Sequence, residues 1–284
     1  MSKVQCQISR RPRVGHIQFI NCLPLYYGLV KHDVLWDVEL TKGTPTELNR
    51  YLIEGKLDIC PISSIEYAHN YRDLLLLPNL SVSCDGPVKS IYLVSKVPIE
   101  QLDQCAIALT NTSATSHLLL KIILQDRYKL QPVYFESPPN LGSMLMEADA
   151  ALLIGDPALH VHYRMPAGLY TYDLGAEWKA WTGMKMVFAV WAVNRNYAAA
   201  NPALVREVYH AFTKSMDYSL EHVDQVAKEA ARWEDFNAEF LRDYFTSLEF
   251  DFDAGHQQGL LEYYRKAKAL SYIAQVPTLD FLEV

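Results

Sequence analysis

The sequence predicts an α/β fold of two lobes joined by two crossing strands, with a helical C-terminal tail. Three observations predict it. Short apolar, strand-like runs alternate with helix-like runs, the pattern of α/β proteins. Two long apolar runs, 90–95 (SIYLVS) and 187–194 (VFAVWAVN), read as buried strands that bracket a second α/β set. After Asn194 the chain is helix-rich. The expected division is 1–94 plus 192–284 for one lobe and 95–191 for the other. A length of 284 residues suits it, at roughly 100–200 residues per domain.

Each element has a local reason. Residues 13–19 (RVGHIQF) read as the first strand. A loop with Asn21 and Pro24 follows, then a short helix near 25–31. Residues 38–40 are the second strand. Gly43-Thr44-Pro45 is a strand-to-helix turn, with Thr44 as N-cap, Pro45 at the first helical position and Glu47 in the first turn. Gly55 stops that helix. Residues 57–62 are a third strand, weakened by Pro61. Ser63-Ser64-Ile65-Glu66 fits a capping box that opens a helix over about 64–70. In the second set, 105–109, 133–135 and 150–154 are strands. Helices are expected over 114–128 and 140–147, and Asp156 reads as the N-cap of another. The tail helices are 202–220, 222–234, 237–248 and 254–269.

Composition removes several functions. A net charge of −7 opposes a general nucleic-acid binder, which needs a cationic surface. No run of 18 apolar residues exists, so no membrane span is expected. The first residues lack an apolar signal segment, so a cytoplasmic protein is expected. Five cysteines at wide spacings (Cys6, Cys22, Cys60, Cys84, Cys105) form no ligand pattern and read as free packing thiols. No metal site is expected. Nucleophile, P-loop and GxGxxG motifs are absent.

The strongest chemical theme is uncharged, hydroxyl-rich turns after strands: Thr44, Ser63 with Ser64, and the run Thr110–Ser116 (TNTSATS), which includes Ser113 and Thr115. A helix N-terminus offers unpaired N–H groups and partial positive charge, so it binds a carboxylate without Lys or Arg. Any one such hydroxyl is first of all a plain cap; the TNTSATS run is denser than one cap requires. Asp156 is likewise a cap before it is a cleft ligand. His160 and His162, two apart on a helix, lie on different faces and read as surface residues. Glu234, Asp235 and Glu239 read as a solvated face, and Trp178 with Trp181 as packing. Asn21 and Ser90 differ. One follows the first strand; the other opens a crossing strand after the Asp85-Gly86-Pro87 turn. In a two-lobed protein both face the cleft. Neither is a base, so they would act by hydrogen bonding and charge stabilisation.

Six ordered motifs carry a resemblance: GHIQFINCLPL (15–25), GTPTELNRYLIEGKLDICPISSIEYA (43–68), DGPVKSIYLVS (85–95), IALTNTSATS (107–116), ALLIGDPAL (151–159) and DLGAEWKAWTGMKMVFAVWAVN (173–194). With them the sequence resembles the chorismate dehydratases of the futalosine route to menaquinone, relatives of type II periplasmic binding proteins. The tail beyond Asn201 carries little of the signature. The resemblance implies a cofactor-free cytoplasmic lyase with a small dicarboxylate, chorismate, as its partner. It implies catalytic roles for Asn21 and for Ser90 of the GxVxS motif. Thr44, Ser63, Ser64, Thr110, Ser113, Thr115, Ser116, Gly155 and Asp156 are the substrate-binding candidates. Two departures stand out: Cys22, where a small residue such as Ala is usual, and Lys185, where proline is usual.

Two alternatives share the fold. The sister enzyme 1,4-dihydroxy-6-naphthoate synthase uses a histidine base after the strand at 150–154, where this chain has Gly155-Asp156. A non-catalytic solute receptor would be exported.

Overall fold

The structure is a computed structural model that describes residues 11–31 and 38–284. Cys6 and the expectation for the first residues lie outside that range.

Strand β1 (Arg13–Ile17) runs parallel to β2 (Glu39–Gly43), with Val14 opposite Leu40. Between them a 3₁₀ turn, Ile20–Cys22, leads into α1 (Leu23–Lys31). Thr44 caps α2 (Pro45–Ile53) as expected: Glu47 N–H donates to Thr44 Oγ1, and the Glu47 carboxylate accepts from Thr44 N–H at 2.9 Å. The chain leaves this helix through Gly55 at φ +68°. Strand β3 (Ile59–Ser63) is buried throughout. Its pairing with β1 is recorded only at Val14 opposite Ile59, before Pro61 removes a donor.

The expected capping box at Ser63 does not form. Ser63 makes no cap bond to α3 (Ser64–Asn70); its hydroxyl accepts from Asn49 Nδ2 at 3.2 Å instead. Strand β4 (Leu74–Cys84) is missing from the sequence expectations. Pro78 and a left-handed Asn79 (φ +54°) break its pattern. The sheet tolerates them because β4 is an edge strand and its pairing jumps from Leu76 to Ser81. The C-terminal segment covers that edge, with Phe281 bridged to Leu76.

The second sheet holds β5 (Ile91–Ser95), β6 (Ala106–Thr110), β7 (Val133–Ser137), β8 (Ala150–Ile154) and β9 (Tyr170–Asp173), in the order β7-β6-β8-β5-β9. Its helices are α4 (Ala114–Ile122), which runs into a π turn to Arg127, α5 (Leu141–Glu147), α6 (Asp156–Arg164) and α7 (Leu174–Thr182). Ser113 caps α4 and Asn140 caps α5. Asp173 caps α7, accepting from Gly175 and Ala176. Gly155, not Asp156, holds the cap position of α6, and Asp156 is the first helical residue.

Strand β10 (Met186–Asn194) returns the chain to the first sheet, whose order is β2-β1-β3-β10-β4. In hydrogen bonding β5 belongs wholly to the second sheet and β10 wholly to the first. The change of sheet therefore falls before each strand. The tail is α8 (Arg195–Ala200), α9 (Pro202–Glu221), α10 (Val223–Ala230), α11 (Ala238–Phe245) and α12 (Ala254–Ala269). Glu234, Asp235 and Glu239 are exposed, as expected. Trp178 is fully buried and meets Trp181 edge-on at 6.0 Å. Lys185 pairs with Glu249 at 2.8 Å. No helix among the described residues is long and apolar enough to cross a membrane.

Candidate active site

A cavity of about 550 Å³, counted to its solvent-open mouth, lies between the two sheets. Residues at or just after the ends of β1, β3, β6 and β8 line it, with others from β4, β5 and β10. These are the strand ends where open α/β sheets place their ligands. The apolar wall includes Phe19, Ile91, Ile154 and Phe188. The polar wall is Asn21, Ser63, Ser90, Ser113 and Ser116, with Gly155 beside them. Among the described residues, no titratable side chain lines the cavity.

Each polar group is held from behind. Ser63 N–H donates to Asn49 Oδ1 at 3.1 Å, and Asn49 Nδ2 holds the Ser63 hydroxyl. Ser113 Oγ donates to Ser116 Oγ at 3.0 Å and accepts from Ser116 N–H. Ser90 Oγ donates to the Val88 carbonyl at 3.3 Å. Asn21 is the exception: its Oδ1 is buried with no hydrogen-bond partner. A buried acceptor left unpaired costs about 1–3 kcal/mol, so such an atom calls for a function.

Elements of the two sheets meet around this cavity. Ile20 N–H donates to Asp156 Oδ1 at 3.1 Å. Ile65 N–H donates to Thr115 Oγ1 at 3.3 Å, and Ser64 Oγ lies 3.3 Å from the same hydroxyl. Tyr264 of α12 donates to the Ser64 carbonyl at 2.6 Å, and Tyr263 to the Thr115 carbonyl at 3.3 Å. Burial pushes the Asp156 carboxyl up to about 6, opposed by the Ile20 N–H.

The structure thus gathers six of the eleven sequence candidates on one wall: Asn21, Ser63, Ser90, Ser113, Ser116 and Gly155. Five lie elsewhere. Thr44 is engaged with Glu47 as a cap. Ser64 and Thr115 are buried and bonded to each other's elements behind the wall. Thr110 is buried, its hydroxyl 2.9 Å from that of Thr112. Asp156 fastens the Asn21 turn from outside the cavity. The histidines expected at the surface are half-buried: His160 packs on Phe236 at 4.5 Å, and His162 Nδ1 lies 2.9 Å from the Tyr92 hydroxyl. Both face inward because the tail packs on α6. The sequence reading missed Phe19, Phe188 and Asn49. Asn49 left a signal, a buried amide beside Leu48 and Leu52 on the apolar face of α2.

With this geometry in view, comparison with known proteins is informative. A family described as menaquinone biosynthesis matches residues 12–269. A chorismate dehydratase of Thermus thermophilus is 30% identical over 265 residues, 88% of this chain and 93% of that protein. A chorismate dehydratase of Campylobacter jejuni is 29% identical over 206 residues, 71% of this chain and 74% of that protein. Among solved structures, a protein of Archaeoglobus fulgidus superposes with a TM-score of 0.75 at 21% identity, covering 92% of this chain and 98% of that one. The periplasmic aliphatic sulphonate-binding protein of Escherichia coli gives 0.66 at 15% identity, covering 95% and 91%. These last two establish the fold, a periplasmic-binding-protein-like one. The match over residues 12–269 establishes more: the chain belongs to the menaquinone biosynthesis family.

Proposed function

We propose that this chain dehydrates chorismate to 3-[(1-carboxyvinyl)oxy]benzoate on the way to menaquinone, with the cavity between the sheets as its active site. Similarity to two chorismate dehydratases supports the reaction. The observation that carries the site is the buried, unpartnered Asn21 Oδ1 in a wall of hydroxyls.

The reaction removes one proton from ring C3 and the hydroxyl from C4, which together leave as water. The C3 proton is a vinylogous γ-proton of the ring acid, so its loss puts charge on the ring carboxylate. Ser63, at the end of β3, and Ser113 and Ser116, at the N-terminus of α4, bind that carboxylate. Their fixed donors stabilise the charge as it develops, the usual largest contribution in such sites. Asn21 and Ser90 hydrogen-bond the C4 hydroxyl and the enolpyruvyl group and hold them for elimination. No titratable side chain lines the cavity among the described residues, so the base is the substrate's own enolpyruvyl carboxylate. It takes the C3 proton and passes it to the departing hydroxyl. Aromaticity of the product supplies the drive.

The remaining candidates act indirectly. Thr44 caps α2, Ser64 and Thr115 join the helices behind the wall, and Asp156 fixes the Asn21 turn. The reading keeps two lobes, with the boundaries moved to the turns before β5 and β10. It places the enzyme in the cytoplasm, acts on a small molecule and assigns no cofactor.

The test is direct. Purified protein is incubated with chorismate and no added cofactor, and the aromatic enolpyruvyl ether is followed by absorbance and by a mass lower by one water. Asn21→Ala and Ser90→Ala should each lose about 10²–10³-fold in kcat with Tm kept, the range for removing one fixed hydrogen-bonding group that stabilises developing charge. Absence of product refutes the function; wild-type kcat in both variants refutes the site.

A further inference from the structure

Helix α12 lies across both sheets behind the candidate site. Its consecutive residues Tyr263 and Tyr264 are fully buried, and neither lines the cavity. Neighbours on a helix point about 100° apart, so the two phenols reach different elements. The Tyr264 hydroxyl donates to the Ser64 carbonyl of α3 at 2.6 Å, and the Tyr263 hydroxyl donates to the Thr115 carbonyl of α4 at 3.3 Å. Ser64 directly follows Ser63, and Thr115 sits between Ser113 and Ser116. Those three serines line one cavity from the ends of strands in different sheets. We propose that Tyr263 and Tyr264 are positioning residues: as a brace across the sheets, they set the spacing between Ser63 and the Ser113–Ser116 pair.

The brace is anchored on both sides. Lys266 pairs with Asp126 of the π turn after α4 at 3.1 Å and lies 3.7 Å over the ring of Trp181 on α7, which ties α12 to the second sheet's helices. Gly259 packs on the turn just before β10, where a Cβ would overlap the Lys185 carbonyl. Beyond the helix the chain is fastened to the first sheet: Tyr67 donates to the Thr278 carbonyl at 2.9 Å, and Phe281 bridges Leu76. The direct contacts between α3 and α4 are long by comparison, Ile65 N–H and Ser64 Oγ each lying 3.3 Å from Thr115 Oγ1. Burial raises both phenols well above their ordinary range, so each stays protonated and remains a donor. Donors that converge on one carboxylate must be held in place, because a small displacement loses transition-state stabilisation. Phenylalanine at either position would keep the ring packing and release one grip.

The proposal rests on the role given to the three serines above, and its test separates the two. Tyr264→Phe should lower kcat about three- to ten-fold, the worth of one lost hydrogen bond, with KM raised less. Tyr263→Phe, which gives up the longer bond, should lose less. In a Ser63→Ala background Tyr264→Phe should change kcat no further, since the donor it places is gone. A part in packing alone would lower Tm and leave kcat untouched well below the melting temperature. A second measurement needs no turnover. Nitroxides are attached at Ile53→Cys on α2 and Met146→Cys on α5, both exposed positions, with Cys6 and Cys105 replaced by serine and the other cysteines buried. Pulsed electron resonance should give a broader and longer distance distribution in Tyr264→Phe than with Tyr264 present. Wild-type kcat in Tyr264→Phe, an equal loss in both backgrounds, or an unchanged distance distribution would each overturn the proposal. Failure of the wild type to consume chorismate would instead overturn the function, with the distances still deciding on the brace.

Discussion

Gly155→Ala should damage stability and substrate binding together. Gly155 sits at φ +63°, ψ −142°, a region nearly reserved for glycine. Holding alanine there costs about 1–3 kcal/mol. The new Cβ would also lie 2.9 Å from the ring of Phe19. Overpacking of that kind adds about 1–3 kcal/mol. The sum is about 2–6 kcal/mol, or roughly 5–20 °C in Tm for a chain of this size. Phe19 can yield only along the cavity it lines, so KM for chorismate should rise. Gly183→Ala is the control. Gly183 is left-handed at φ +72°, ψ 0°, with nothing within 4 Å of its would-be Cβ. It should cost only about 1–2 kcal/mol and leave KM alone. Adding Phe19→Leu to Gly155→Ala should recover part of the Tm, because the two changes share one contact. The assay is thermal unfolding followed by dye or circular dichroism, with steady-state kinetics alongside. Equal Tm losses at the two glycines, with KM unchanged in both, would refute the claim that Gly155 is kept bare for Phe19.

Three further outcomes are expected. Asp58 is buried and accepts from Arg13 N–H at 2.8 Å, Nε at 3.0 Å and NH2 at 2.5 Å, so Asp58→Ala should cost about 3–5 kcal/mol, read as a lower denaturant midpoint. Burial raises the Asp156 carboxyl from 3.8 to about 6, so the folded chain binds more protons than the unfolded one between those values. Stability should therefore fall as pH rises through that window, by about 3 kcal/mol in all at 1.36 kcal/mol per pH unit. Asp156→Asn keeps an acceptor for Ile20 and should remove the fall; unfolding curves at pH 4 and pH 7 that differ alike in both proteins would contradict this. Asn49→Ala frees Ser63, which stabilises charge as it develops on the ring carboxylate, and should lower kcat several-fold, more than it raises KM, a split that steady-state kinetics will show.

The parts of the fold legible in the sequence are those set by local chemistry. Thr44, Pro45 and Glu47 state a capped helix within four residues, and the helix begins there. Residues 150–154 are apolar throughout and form a strand buried on both faces. Strand β4 was hidden because its bulge at Pro78-Asn79 is permitted only by an edge position, which is a property of the sheet. The false capping box at Ser63 has the same origin. Its hydroxyl prefers Asn49, fourteen residues away, over its own helix. The candidate site was legible where turns follow strands, since those turns converge in an α/β protein. The strand-end reading placed Asn21 and Ser90 together with four other candidates around one cavity. It could not separate wall from backing. Ser113 and Ser116 line the cavity, while Thr115 between them points to Ile65 on the other sheet's helix. That difference follows from the helical turn and the approach of α3.

The account's central claim is that one uncharged cavity between the sheets holds chorismate and lets it lose water. The most direct test is a crystal structure of Ser90→Ala soaked with chorismate. The ring carboxylate should lie on Ser63, Ser113 and Ser116, with Asn21 Oδ1 accepting from the C4 hydroxyl. Density for chorismate at any other place, or an occupied cavity in which Asn21 Oδ1 still accepts nothing, would contradict the account.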